Sequence, residues 1–580
     1  MITSRVHVNQ VGYLTGGPKG ATLVCAEDSP QQWQLRDATG EVLAEGDTVP
    51  RGLDPSSGSR VHTVDFSAVR TPAARVHLVA DGATSPSFAI GGGLYDRLLH
   101  DALTVFTLQR SGVAIGADVA GPQYARAAGH LGMEPNLGDT QVGPLPRGAA
   151  FTNHGADLYA GWSGDYVVDG SGGWYDAGDQ GKYVVNGGIA VAQLLGLVER
   201  ALRTGQDTGP GTPAALALDE ARWELDWMVR MQVAPGLRLA GMVHHKLHDE
   251  RWTPLPTLPA LDPQRRFVHR PSTAATLNLA AVAAQVARLM AVADPEYAAR
   301  MLEVARTAYR AARANPVLLA PDTNVIANFG GGPYNDSEVD DELYWAAAEL
   351  YLTTGEAGYL ADLRVNPYHL GGCKPAFVPQ GFDWRDVAAW ARMQLAAVDS
   401  PLPERDEVRV GLVGAAEHLL AHDEPFGHLY SPTDGRYAWG SNGMVANCAA
   451  IVAAAFDVSG DTRLRDGALA GIDYLLGRNA MGLSYVTGHG SAYAHHQHSR
   501  WYARSLAPSL PDPPPGTLSG GPNSDVPDPV SAPLAGRPAQ RCYVDDIQAF
   551  GVNEMAINWN SALAWLAAFA ASQGDGLTSA

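Results

Sequence analysis

Short alternating runs of apolar and polar residues fill the start of the chain: Val6-His7-Val8-Asn9-Gln10, Ala21-Thr22-Leu23-Val24, Trp33-Gln34-Leu35, Thr63-Val64-Asp65-Phe66 and Arg75-Val76-His77-Leu78-Val79, parted by Gly, Pro and Ser. A period of two between turn residues predicts half-buried strands, so residues 1–91 read as a small all-β sandwich closed by Gly91, Gly92 and Gly93. From Leu94 onward the apolar spacing becomes helical. It predicts helices near 95–110, 184–203, 214–232, 273–292, 295–313, 341–354, 384–397, 407–421, 443–457, 462–477 and 556–572, with no strand alternating among them. Helices without a βαβ rhythm mean an all-α domain of successive αα-hairpins, and a closed ring of paired helices is one way to bury so many Ala-rich faces. Residues 92–580 are taken as that domain, with the Pro-rich stretch 507–540 as a long surface loop of it.

Composition narrows the function. At 580 residues the chain exceeds one ordinary core, and 46% hydrophobic with 18% charged residues describes an ordered protein. A formal net charge of −20 argues against nucleic acid or an anionic membrane as partner and leaves a neutral ligand. The most apolar run, Thr273 to Ala293, is broken by Asn278, Gln285 and Arg288, which suits a packed helix and not a membrane span. No basic stretch followed by an apolar one opens the chain, so it either stays inside the cell or has had a signal removed. A soluble monomer is expected. Cys25, Cys373, Cys448 and Cys542 lack C-x-x-C spacing, so buried free thiols are the default, with a Cys373–Cys542 disulfide left open.

The candidate chemistry begins at Gly172–Tyr183, where Asp176 and Asp179 flank a two-residue Ala-Gly step just before an apolar helix. Asp beside Gly is most often a turn residue. Here, however, a helix N-terminus favours an ionised Asp179 while Asp176 opposes a second charge, which lets one of the pair serve as a base. Near the C-terminus Glu554 stands among Phe550, Val552, Met555 and Ile557, with Asp545 and Asp546 close in sequence. Apolar surroundings and neighbouring charge raise a carboxyl pKa, so Glu554 is a candidate general acid. A protonated Glu opposite an ionised Asp is what glycosidic cleavage requires. His495, His496 and His498 invite a metal reading, but zinc usually needs a fourth donor at defined spacing and no cysteine is near, so recognition of a hydroxyl-rich ligand by His498 and Arg500 is preferred. The acids of 334–342 suit either a helix first turn or calcium. Trp439, Trp174, Trp252 and Tyr334 could stack on sugar rings, Trp439 foremost. The long segment 239–271, with His244, His245 and His248, could close one end of a cleft, and His245 is counted among the ligand contacts.

With these residues in view the chain resembles glycoside hydrolase family nine, in the subgroup that carries an immunoglobulin-like domain before an (α/α)6 barrel. The resemblance runs from Val6-His-Val-Asn-Gln-Val-Gly-Tyr13 to the last helix and rests on Trp174–Asp179, on Ser484–Arg500 and on Tyr543, Asp545, Phe550, Glu554, Ala556, Asn560 and Ser561. It departs from the family pattern at Ala492 and Gln497. It implies Glu554 as general acid with Asp545 supporting it, Asp179 as base, Asp176 as the holder of the attacking water, and His498 and Arg500 as the grip on the sugar. It also implies a calcium site of Ser337, Glu338 through its carbonyl, Asp341, Glu342 and Asp386. Because Arg110-Ser111-Gly112 and Ala127-Ala128-Gly129-His130 lack cysteine, no zinc of the family type is expected. The implied activity is an inverting, extracellular endo-β-1,4-glucanase acting on β-glucan or cello-oligosaccharides. The alternatives are an exo-acting relative (cellobiohydrolase, β-glucosidase or glucosaminidase) or a carbohydrate binder that has lost its chemistry.

Overall fold

The structure, a computed structural model, describes residues 4–132, 138–145, 159, 162, 164–323 and 329–574. At the N-terminal end one sheet orders Val6–His7, Gly20–Val24, Ser59–Asp65 and Val49–Asp54, and the other Gly12–Leu14, Phe88–Gly91, Ala73–Ala80, Gln32–Asp37 and Val42–Asp47. Gly12–Leu14 and Phe88–Gly91 run parallel. The inward half of each alternation (Leu23, Leu35, Val64, Val76, Leu78, Ile90) meets between the sheets around Tyr13, Phe66 and Phe88, whose rings meet 5.1–5.7 Å apart.

Twelve helices of nine residues or more follow among the described residues: α1 (Asp96–Gln109), α2 (Val184–Arg203), α3 (Pro213–Arg230), α4 (Thr273–Met290), α5 (Pro295–Ala314), α6 (Asp340–Thr354), α7 (Ala357–Val365), α8 (Ala388–Ala397), α9 (Arg405–Leu420), α10 (Ser441–Ser459), α11 (Thr462–Leu475) and α12 (Ile557–Ser572). The even-numbered six touch one another in sequence, and α12 returns to α2, closing an inner ring; the odd-numbered helices pack outside it. This is the (α/α)6 barrel. Inner helices are apolar on every side because every side is covered. Thus α2 and α10 have the length and apolarity of a membrane span, yet 94% and 78% of their most apolar stretches are buried inside the protein.

Several local expectations change. Helix α7 is missed by periodicity because its single buried residue is Leu363. Short strands do occur between the helices: Lys182–Tyr183 pairs with Lys246–Asp249, which pairs with Arg266–Val268 and so leads to Gly143–Pro144. At two to four residues they are too brief to show a period. Helix α8 begins at Ala388 and not 384, because the Val387 amide donates to Asp341 Oδ2 (2.9 Å) just before it. The 507–540 stretch is no mere surface loop. Thr517, Leu518 and Ser519 are buried and the Gly520 amide donates to the Glu554 carbonyl (2.7 Å). All four cysteines are free, and Cys373 is exposed.

The sandwich is joined to the barrel through polar groups at the start of the chain. Asn9 Nδ2 donates to Asp473 Oδ1 (2.8 Å) and Gln10 Oε1 accepts from the Ser491 and Ala492 amides (3.0 and 2.9 Å). Those two residues lie on the segment that leads to His498.

Candidate active site

Three backbone segments converge at one end of the barrel. The Asp176–Gly178 turn lies beside Glu554–Ile557: Ala177 and Ala556 form an antiparallel bridge, and the Ile557 amide, at the start of α12, donates to the Asp176 carbonyl (2.9 Å). On its other side Glu554 bridges His498, whose amide donates to the Asn553 carbonyl (2.8 Å). The circuit closes where the Arg500 amide donates to the Gly178 carbonyl (3.0 Å). Acid, base and histidine segments are thereby fixed by main-chain bonds, which do not depend on side-chain rotamers.

The turn is held from below by buried side chains. Gln109 Nε2 donates to the Tyr175 and Ala177 carbonyls (3.1 and 3.0 Å), Lys182 Nζ to those of Gly170 and Gly172 (2.5 and 2.9 Å), and Glu224 Oε2 accepts from the Trp174 amide (2.6 Å). Asp179 is not a helix cap: α2 starts only at Val184, and Asp179 Oδ2 accepts instead from the Gly181 amide (3.2 Å) and the Tyr183 hydroxyl (3.1 Å). Asp176 accepts from the Tyr334 hydroxyl (2.7 Å) and from Asn186 Nδ2. Tyr183 and Asn186 were not singled out from sequence. Asn186 had a signal, a polar residue interrupting the apolar run that opens α2.

Burial pushes the Asp176 carboxyl up to about 7, helped by the charge of Asp179. Asp179 is raised by burial as well, but the Arg500 guanidinium pulls it down, a cation that Asp176 does not face. Glu554, half-buried, is pushed well above the ordinary glutamate range by desolvation and then by Asp179, with Asp176 adding to the repulsion and Arg500 again opposing. His498 is lowered to about 4 by burial and by Arg500, and is therefore neutral near pH 7. Its Nδ1 faces the Ile547 carbonyl (2.7 Å) and so carries the proton, which leaves Nε2 to accept from Arg500 Nη1 (3.3 Å). Arg500 is fixed by Thr253 Oγ1 (2.8 Å) and lies under Trp252, 5.4 Å from the ring centroid.

The remaining site residues fare unevenly. Among the described residues Asp545 makes no hydrogen bond to Glu554. Its Oδ1 accepts from the His496 amide (2.9 Å) and Asn553 Nδ2 (3.0 Å), so it latches the histidine segment to the residue before Glu554. Trp439 is 44% exposed beside Phe550 (6.0 Å), and Gly440 (φ +82°) turns the chain into α10 behind it. Trp174 is not a stacking platform: it is 1% exposed, packs 4.8 Å from Phe106, and its indole donates to Glu220 (3.1 Å). His245 is no ligand contact either. It is buried with both ring nitrogens occupied, by Ser272 Oγ and by the Tyr334 carbonyl (2.8 Å each), so it supports Tyr334. His244 and His248 are likewise buried, whereas Trp252 of the same segment is 38% exposed.

The acidic group before α6 fits a hard cation. Asp336 Oδ2, Asp341 Oδ1 and both Glu342 carboxylate oxygens are buried with no hydrogen-bond partner. Desolvation and mutual repulsion push Asp336 and Asp341 up to about 7 and Glu342 well above the ordinary glutamate range, with Asp386 adding charge to the first two. Buried carboxylate oxygens without donors are costly unless a cation is supplied, and an all-oxygen set of this kind suits calcium. The Glu338 side chain is spent on Lys374 (2.5 Å), which leaves only its carbonyl to offer, and Ser337 is exposed. Asp336, which lies in the acidic run read from the sequence but outside the ligand set the resemblance implies, belongs to this group of unpartnered oxygens.

Comparison with known proteins places this geometry. The Glycosyl hydrolase family 9 profile matches residues 95–567, and that of the cellulase N-terminal ig-like domain matches residues 2–85. Endoglucanase C of Cellulomonas fimi is 53% identical over 98% of the chain, which spans 52% of that protein. Cellulose 1,4-beta-cellobiosidase of Acetivibrio thermocellus is 40% identical over 97% of the chain and 67% of its own length. A solved structure of a Bacteroides ovatus GH9 protein superposes with a TM-score of 0.82 at 28% identity, covering 98% of this chain and 99% of that one.

Proposed function

Because the chain belongs to glycosyl hydrolase family 9, we propose that it is an inverting endo-β-1,4-glucanase in which Glu554 is the general acid, Asp179 the base and Asp176 the holder of the attacking water. The carrying observation is the convergence of these three desolvated acids on bonded backbone segments, with the Arg500 guanidinium opposing the rise of Asp179 and Glu554. Glu554, kept protonated, gives its proton to the glycosidic oxygen as the C–O bond breaks. Asp179, kept ionised by Arg500, takes a proton from a water whose oxygen bonds to the anomeric carbon from the opposite face. Asp176, clamped by Tyr334 and Asn186, orients that water, and the configuration at the carbon inverts. His498 and Arg500 grip the sugar at the cleaved bond and Trp439 stacks on another ring. Tyr334 lines the cleft while holding Asp176. An extracellular setting follows from a polymeric substrate that cannot cross a membrane.

Asp336, Asp341, Glu342 and Asp386, with Ser337 and the Glu338 carbonyl, hold a structural calcium in this reading. The ion would neutralise the buried repulsion there and tie the start of α6 to the loop before α8. A proton NMR time course on a soluble mixed-linkage β-glucan tests the mechanism: α-anomer among the fresh reducing ends is expected, and β-anomer first would overturn it. The resemblance to the Acetivibrio cellobiosidase favours one second reading, exo action on the same scaffold. An endo enzyme lowers viscosity early, whereas an exo enzyme releases one small product while viscosity persists.

A further inference from the structure

The segment that leads into His498 carries ligand-type side chains with no part in the proposed mechanism. Donor atoms of His495, His496 and Asp545 lie within 4.8 Å of one another. His495 Nδ1 is 3.4 Å from Asp545 Oδ2, and the two imidazole centroids are 4.1 Å apart. Successive side chains of an extended chain point to opposite faces. Here Asp545 draws both residues inward by accepting their amide hydrogens, His495 at 3.1 Å on Oδ2 and His496 at 2.9 Å on Oδ1. Among the described residues no lysine or arginine pairs with Asp545, and the His496 ring has no hydrogen bond. The interior trio of His130, Asp249 and Asp262 differs in both respects. Arg266 already lies 2.5 Å from Asp249, and the His130 ring spans Tyr175 and Asp262 at 2.7 and 3.0 Å.

We propose that His495, His496 and Asp545 form a surface site for a divalent transition-metal ion of the zinc class, whose occupancy slows hydrolysis. Two imidazoles and one carboxylate are a zinc-type donor set with positions left for water, whereas calcium takes oxygen donors. A separation of 3.4 Å between two donors is close to the edge of a tetrahedron with bonds of about 2.0–2.1 Å. Binding exchanges the contact of His495 Nδ1 with the Tyr493 carbonyl (3.0 Å) for the metal. It also draws on Asp545, whose Oδ1 holds Asn553 Nδ2 (3.0 Å), and Asn553 in turn bonds the His498 amide and precedes Glu554. The ion thus reaches the acid through one carboxylate and one amide.

The test is calorimetric titration of the full chain with Zn2+, in buffer freed of transition metals but containing calcium, alongside rates on soluble β-glucan at each zinc concentration. Calorimetry does not depend on the proposed activity, so failure of the site and failure of the glucanase reading are distinguishable. One equivalent of zinc binding, absent in the His495→Ala/His496→Ala double variant, is expected. The half-inhibitory zinc concentration then rises by about tenfold or more, since even a group that merely orients a metal ligand costs that much when lost. Without zinc the variant turns over as the parent does. The rings of His418 and His422 stand 5.5 Å apart and are a competing zinc pair, so His422→Ala must leave both readouts unchanged. A double variant that binds the same equivalent, or that is inhibited at the same zinc concentration, overturns the proposal.

Discussion

Gly178 is where the base turn and the histidine segment touch, and replacing it with alanine isolates what that contact does. A Cβ on Gly178 would lie 2.0 Å from the His498 carbonyl oxygen, 2.8 Å from its carbon and 3.0 Å from Ser499 Cα. All three are main-chain atoms, so no rotamer change relieves them. The φ of Gly178 lies outside the left-handed region, so alanine itself is unstrained there and the effect is steric alone. Comfortable contact needs about 3.5 Å, so the segments must part by roughly 1.5 Å. That movement breaks the paired bonds from the Arg500 amide (3.0 Å) and Nη1 (3.1 Å) to the Gly178 carbonyl. Overpacking of this kind costs about 1–3 kcal/mol, which a barrel of this size survives, whereas misplacing catalytic groups by about 1 Å costs on the order of 10²-fold in rate. Gly178→Ala is therefore expected to fold, to melt a few degrees lower and to lose about a hundredfold in kcat on soluble β-glucan. Gly435→Ala is the control: its φ is +69° but a Cβ meets nothing within 4 Å, so it costs about 1 kcal/mol of stability and no activity. A Gly178→Ala enzyme keeping more than half its kcat would refute the geometry.

Glu554→Gln keeps the shape and removes the proton, so kcat falls about 10²–10⁴-fold while the melting temperature does not fall; near-normal activity would sink the assignment. In the parent, activity rises with pH as the raised Asp176 and Asp179 carboxyls ionise and falls as Glu554 does, so a kcat/KM profile whose acid limb lies at or below pH 4 would contradict these environments. Chelation should lower the melting temperature, since calcium at a hundred times its dissociation constant stabilises by about 2.7 kcal/mol. Asp341→Asn, relieved of repulsion, should melt above the parent in chelator and below it in calcium, and an unchanged order would exclude the site. Gln10→Ala strips two amides of their acceptor at about 1–3 kcal/mol each, so melting and kcat should fall together; a loss of neither would uncouple the sandwich from the active site.

The two periodicities carried most of the architecture into view, because strands and helices that bury one face must repeat with period two or near 3.6. What escaped is what periodicity cannot encode. Helix α7 buries only Leu363, and the short strand Lys182–Tyr183 is made by its partner Lys246–Asp249. Asp176, Asp179 and Glu554 were legible as carboxylates in odd company. Their partners were not: Tyr334 on Asp176 and Arg500 beside Asp179 and Glu554 are tens to hundreds of residues away and set by tertiary folding. Trp174 and His245 misled for the same reason. An aromatic two residues before Asp176, or an imidazole in a His-rich segment, can face the protein interior, and both turn inward to hold the turn and Tyr334.

Two groups of acids in the barrel domain are handled in opposite ways. At Asp336, Asp341 and Glu342 four buried carboxylate oxygens have no hydrogen-bond donor, and in the proposed reading a cation offsets their repulsion and stabilises the fold. At Asp176, Asp179 and Glu554 a full set of cations would defeat the purpose, since an acid lowered to its ordinary range has no proton to give at neutral pH. The structure instead supplies one guanidinium, nearer in effect to Asp179 than to Asp176, and hydrogen bonds from Tyr334, Tyr183 and Asn186 that orient without neutralising. Residual strain between like charges is thus retained where it sets protonation states, and the closed ring of inner helices beneath it carries the cost. Neutral replacements at the three acids should accordingly raise stability as they abolish turnover, whereas neutral replacement at Asp341 should raise it only when calcium is withheld.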